Sequence, residues 1–150
     1  MAKVVFLGPG EGRQLVIGTN TATLKAVTGD TEGRFSVMEH RLDAHSPGPP
    51  VHVHDQLDHA VYVVEGTVVF TVEQRQLTAA AGSFVLIPHG ITHTFANPSD
   101  AVARSVEVDA PAGFERYFER LAEAVPAGSQ VDPAIMAALQ AEHETHPPHA

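Results

Sequence analysis

Between residues 14 and 108 the apolar positions come in short runs separated by turn-forming residues, the rhythm of an all-β barrel or sandwich. The runs predict strands at Gln14–Ile17, Ala22–Val27, Phe35–Leu42, His59–Val64, Val68–Gln74, Gln76–Ala79, Ser83–Ile87, His93–Ala96 and Val102–Val108. Polar or stiff connections divide them: Gly29–Gly33, the Pro-rich Ser46–Pro50 and Asn97–Asp100, whose Asn, Pro and Asp suit a turn. After Asp109 the period lengthens. Phe114, Tyr117, Phe118, Leu121 and Val125 recur every three or four residues, predicting an amphipathic helix over 112–125 with Glu115, Arg116, Glu119, Arg120 and Glu123 outward. Asp132-Pro133 pairs an N-cap acid with a proline at the first helical position and opens a second helix to about residue 142. The aromatic helix is expected to pack outside the barrel; covering its mouth or a second subunit is the alternative. Residues 143–150, with three histidines and two prolines, read as a frayed tail. The expected organisation is one domain over 1–150: barrel about 13–109, helical segment about 112–142, tail 143–150.

Charge narrows the partners. Eighteen acidic against nine basic residues leave −9, and the basic residues are scattered, so nucleic acid and anionic membranes are not expected partners. The absence of cysteine removes disulfides and thiolate ligands. The apolar run in Met1–Gly10 is too short for a signal peptide and no stretch approaches a membrane span, so a soluble cytoplasmic protein is expected.

The chemistry lies in the histidines. His52 and His54 are two apart, so on a strand they share a face, and His59 and His93 follow in later strands. Imidazoles arriving from several strands can surround one divalent transition metal ion, with Fe, Mn, Ni, Co, Cu or Zn all candidates. By the same parity His59 shares a face with Val61 and Val63, and His93 with Phe95. Phe95 is therefore the first candidate for an apolar wall beside an ion. Met38, Tyr62 and Phe70 are further pocket candidates and, with Phe35, Val37, Phe84 and Leu86, could equally fill the inter-sheet core. His89 falls in an exposed turn, His40 and His45 at most edge a pocket, and His143, His146 and His149 belong to the tail.

The stretch Gly82, Pro88, Gly90, His93, Asn97 has the spacing of the second cupin motif, and His52, His54 and Gly66 resemble the first. The motif's usual leading glycine is replaced by Ser46, with Gly48 nearby, and its glutamate slot falls on His59. The Gly-Phe-Glu-Arg-Tyr-Phe segment after the barrel looks like single-domain quercetinase-like (quercetin 2,3-dioxygenase-like) cupins. The resemblance implies a cupin double-stranded β-helix, a jelly-roll barrel with one or two C-terminal α-helices. It also implies a mononuclear metal centre and a homodimer formed through edge strands. His52, His54, His59 and His93 are then the ligands; Asp58 is the alternative to His59, although a one-residue slip turns a strand side chain to the opposite face. Four neutral imidazoles would leave the centre more positive than a set containing a carboxylate, and would deprive it of a carboxylate base.

Three functions follow as expectations. The first is a metal-dependent oxygenase or dioxygenase acting on a small enolisable or aromatic substrate. The second is a metal-dependent isomerase, lyase or hydrolase, with His40 or a bound hydroxide as base. The third is a non-catalytic cupin that binds a small ligand.

Overall fold

The computed structural model describes residues 3–149; Met1 and Ala2 of the N-terminal run and Ala150 of the tail lie outside the described residues. The barrel strands are β1 (Arg13–Ile17), β2 (Asn20–Ala26), β3 (Ser36–Leu42), β4 (Val53–His54), β5 (Asp58–Glu65), β6 (Thr67–Val72), β7 (Arg75–Ala80), β8 (Phe84–Ile87), β9 (His93–Ala96) and β10 (Ala103–Ala110). Helix α1 (Thr28–Thr31) precedes β3, while α2 (Glu115–Ala124), α3 (Pro133–Ala141) and the short strand β11 (Thr145–His146) follow the barrel. Alternating patterns are realised within a residue or two of their expected ends. Helix α1 was legible only as a polar connection, because it is a single turn closed by the Asp30 carboxylate accepting from Val27 N–H at 3.1 Å.

All strand pairs are antiparallel. One layer is a six-stranded sheet in the order β1-β2-β3-β10-β5-β8. The other contains β7-β6-β9 and β11-β4, joined where His52 and His93 exchange both backbone hydrogen bonds, at 3.0 and 2.9 Å. This is the jelly-roll architecture expected from the turn-and-strand rhythm. Among the described residues no helix is long and apolar enough to cross a membrane.

Two apolar clusters fill the interior. Leu42, Val61, Val63, Val68, Phe70 and Ile87 meet between the layers. Leu15, Ile17, Leu24 and Met38 meet Phe114, Tyr117, Phe118 and Leu121 of the α2 region and Met136 and Leu139 of α3. The helical segment thus closes one mouth of the barrel instead of packing outside it. Each fully buried Leu or Phe contributes roughly 1.5–3 kcal/mol to that closure. Glu115, expected outward, is buried because its carboxylate accepts from Thr28 N–H and Gly113 N–H, both at 2.7 Å, and from the Thr28 hydroxyl.

Strand β10 reverses the usual polarity. On β10 the inward positions are Ala103, Ser105, Glu107 and Asp109, while its valines turn outward or are half-buried. On the outer face Tyr62 lies opposite Phe84, and Ala60 opposite both Leu86 and Val108. Tyr62, Phe84 and Leu86 are 48%, 63% and 57% exposed. Tyr62 is therefore not a pocket residue, and Phe84 and Leu86 are neither pocket nor core; nor is Phe35, which is also exposed. Met38 is buried in the core instead of lining a cavity.

Candidate metal centre

The strand register assembles the histidines. The His52–His93 bridge sets those two rings on neighbouring strands with centroids 4.3 Å apart. His54, two residues on, presents the same face at 4.9 Å from His52 and 5.1 Å from His93. His59 arrives from the opposite layer on β5, 5.9 Å from His54 and 5.7 Å from His93. All four are at least 96% buried. Ligand nitrogens of His52, His54 and His93 lie within 4.8 Å of one another; His59 forms a second such group with Glu107 and Asp109. Asp58 points away, exposed, accepting from His89 N–H at 3.0 Å and pairing with the His89 ring at 2.8 Å.

Every one of the four rings has its Nδ1 on an oxygen. His52 Nδ1 meets Pro50 O at 2.7 Å and His93 Nδ1 meets Ile91 O at 2.9 Å. Since a carbonyl only accepts, both nitrogens carry the proton. His54 Nδ1 meets Thr145 Oγ1, and His59 Nδ1 meets Asp109 Oδ1, each at 2.7 Å. In each neutral ring this arrangement leaves the Nε2 lone pair free, and the buried Nε2 of His93 has no hydrogen-bond partner. Imidazoles oriented through Nδ1 with an open Nε2 fit a divalent transition metal ion, and an orphaned buried nitrogen is costly without one.

Charge is arranged in two halves. Burial lowers His52 to about 4, His54 to about 2 and His93 to about 3, with neighbouring histidines adding to each shift. These three are neutral at neutral pH, the state that ligates. Burial would lower His59 too, but Glu107 and Asp109 outweigh it and raise this ring to about 9. Burial, then Glu107, pushes Asp109 well up; Glu107 goes down despite its burial, because His59 and His40 hold its charge. His40 Nε2 lies 2.9 Å from Glu107 Oε2, and Glu107 Oε1 lies 3.5 Å from His59 Nδ1. Two carboxylates that favour a proton on His59 also favour a cation bonded to it. The site is therefore less positive than the histidine pattern implies: it keeps a carboxylate, moved from the motif's glutamate slot to β10. Sequence reasoning missed Glu107 and Asp109 because acidic residues alternating with Val106 and Val108 look like solvent-facing charges. The usable signal was their two-residue spacing.

A small chamber of about 40 Å³ is lined by His52, His54, His59 and Glu107 with Phe95, Phe114, Tyr117 and Phe118. Phe95 and Phe70 also line a void of about 10 Å³ reaching His40, His59 and Glu107. Outside lies a cleft of about 460 Å³ between β2, β3, loop 43–49 and the helical segment; it shares Phe95, Phe118, Leu121 and Met136 with the chamber and reaches His40. Gly48 (φ +73°) lets the loop lie against β9, since a Cβ there would sit 1.6 Å from Phe95 O. His45 pairs with Asp100 on the surface, and His146 contacts Asp55.

These shifts predict a stability profile for the metal-free protein. His52, His54 and His93 sit below their ordinary 6.5, so the unfolded chain takes up more protons and stability falls as pH drops from 6.5 toward 4. His59 is raised, so its contribution is complete below 6.5 and lost as pH rises toward 9. Urea unfolding of the metal-free protein should show a maximum near pH 6.5 with the steeper fall on the acid side. Stability that increases from pH 6.5 to 5 would contradict the assignment.

Known proteins share this architecture. The polyketide cyclase RemF from Streptomyces resistomycificus superposes with a TM-score of 0.63 at 21% identity, over 72% of this chain and 80% of its own. KdgF from Halomonas sp. gives 0.66 at 16% identity, over 76% and 99%. A predicted oxalate decarboxylase from Thermotoga maritima gives 0.62 at 14% identity, over 73% and 99%. At these identities the likeness establishes the fold alone. No curated protein sequence matches the chain. Residues 38–109, which span β3 to β10 and contain all four clustered histidines, match the family described as Cupin domain, and the fold that carries them is the cupin jelly roll.

Proposed function

We propose that this protein is a metal-dependent enzyme whose four histidines, His52, His54, His59 and His93, hold one divalent ion, and that it acts on a small, neutral, enolisable or aromatic molecule. Oxygenation of the quercetinase-like kind is the reaction favoured by the resemblance in its motifs. The observation carrying the proposal is the set of Nδ1–oxygen bonds that turns Nε2 lone pairs loose inside an apolar chamber. When bound, the ion supplies a Lewis acid and, if redox-active, a partner for O₂.

The chain's own residues supply the rest. Glu107 Oε1 is buried without a hydrogen-bond partner, available to accept a hydrogen bond from a substrate hydroxyl. His40 steadies the same carboxylate from behind. Phe95, Phe114 and Phe118 keep the chamber apolar and exclude water. The chamber is too small for a substrate's body, which would occupy the outer cleft. Neither space is lined by Lys or Arg, and Asp43 and Glu107 border them, which disfavours phosphorylated or multiply anionic substrates. Glu107 also favours a second reading, non-redox isomerisation or ring closure, because a buried carboxylate can orient a substrate hydroxyl without O₂; RemF, by its name, is a cyclase.

Metal analysis of tag-free protein, followed by incubation with flavonols and with aromatic polyketones under an oxygen electrode, tests this reading. We expect about one ion per chain, lost in His52→Ala and His93→Ala, and substrate-dependent O₂ uptake. Turnover without O₂ uptake would select the non-redox reaction. Folded protein that takes up no ion contradicts both.

The expected homodimer is proposed on the outer face of the large sheet rather than through exchanged edge strands. Its support is the contiguous exposed apolar group Tyr62, Phe84, Leu86 and Val108, of the kind that marks a protein contact. Sedimentation should give a dimer that Phe84→Glu converts to monomer; a monomeric native protein contradicts the proposal.

A further inference from the structure

We propose that the C-terminal tail belongs to the metal centre: Thr145 is a positioning residue for His54, so tail docking and ion binding stabilise each other. This inference rests on the metal-centre reading above.

Thr145 is fully buried and stands directly opposite His54 in the β11–β4 ladder. Its hydroxyl has a single hydrogen, which it donates to His143 O at 3.1 Å. With that hydrogen on His143 O, the hydroxyl accepts from His54 Nδ1, 2.7 Å away. That places the proton of His54 on Nδ1 and leaves Nε2 bare. The other three histidines find their Nδ1 acceptors within the barrel region: carbonyls two residues away for His52 and His93, and a neighbouring strand for His59. His54 alone borrows its acceptor from beyond the helices, 91 residues along the chain.

The tail is built to stay there. The α3 end turns through His143 N–H donating to Gln140 O at 2.9 Å and Glu144 at φ +52°. Asp55 N–H donates to Glu144 O at 3.1 Å, and the Asp55 carboxylate meets His146 Nε2 at 2.5 Å. Both latches hold the residue immediately after His54. Undocking the tail would leave a buried Nδ1–H without a partner and let the ring adopt the other tautomer, with its proton on the nitrogen that faces the ion. An ion held through His54 Nε2 favours the docked tail by the same free energy, since coupling between sites is reciprocal.

The test uses the full chain with Thr145→Val, which keeps the shape and removes the acceptor, Thr145→Ser, which keeps the acceptor, and Asp55→Ala, which opens the exposed latch only. Zn²⁺ affinity is measured by chelator competition, and the His54 tautomer in metal-free protein by ¹⁵N NMR. We expect Thr145→Val to weaken Zn²⁺ binding about 10- to 100-fold, as loss of a ligand's orienting partner does. His54 should lose its pure Nδ1–H signature, Thr145→Ser should restore both readouts, and Asp55→Ala should weaken binding in the same direction. Should Thr145→Val fail to fold, Asp55→Ala carries the test by itself. Wild-type protein that binds Zn²⁺ while Thr145→Val or Asp55→Ala binds it equally well, with His54 unchanged, overturns the inference and leaves the metal centre standing. Folded wild-type protein that binds no Zn²⁺ overturns both.

Discussion

Four oxygen atoms, each bonded to the Nδ1 of a buried histidine, are the constraint on which the rest of this structure depends. A buried imidazole has two nitrogens to satisfy. The fold satisfies one on every ring and directs the rings at one another across the barrel. The acceptors come from four places: the Pro50 and Ile91 carbonyls, the Asp109 carboxylate and the Thr145 hydroxyl. The Pro-rich loop, the turn before β9, the inward face of β10 and the C-terminal tail therefore all serve one cluster. Oriented in this way, the histidines forgo much of their rotational freedom before any ion arrives, which lowers the entropy cost of binding.

The same constraint accounts for the inverted polarity of β10. Glu107 and Asp109 must face inward to support His59, so Val106 and Val108, which alternate with them, turn toward the outer surface. Electrostatics divides the site accordingly: neutral imidazoles on the smaller layer, and a histidine backed by carboxylates on the larger. A cation between the two halves displaces no proton from the first and only that of His59 from the second, whose carboxylates then offset its charge.

Much of this was legible in the sequence. The two-residue spacing of His52 and His54 and the parity of His59 with Val61 and Val63 placed those side chains inward, and the glycine and proline punctuation placed most of the strand ends. Three features were not. Tyr62, Phe84 and Leu86 carry the apolar character of core residues, and only the cross-strand register shows that they face out. Glu107 and Asp109 look like solvent-facing charges, because periodicity cannot reveal which face of a strand holds a polar chamber. Thr145 sits in a segment whose composition reads as frayed, and its burial depends on a two-residue ladder formed with a strand far earlier in the chain. Local pattern reports amplitude and period; pairing decides which side is inside.

The most direct measurement is an anomalous-diffraction structure of the protein loaded with a single transition metal. One ion should be bonded to Nε2 of His52, His54, His59 and His93 at about 2.0–2.1 Å, with all four Nδ1–oxygen bonds retained. An ion bonded instead among His59, Glu107 and Asp109, or reached through Nδ1 of any of the four rings, would contradict it.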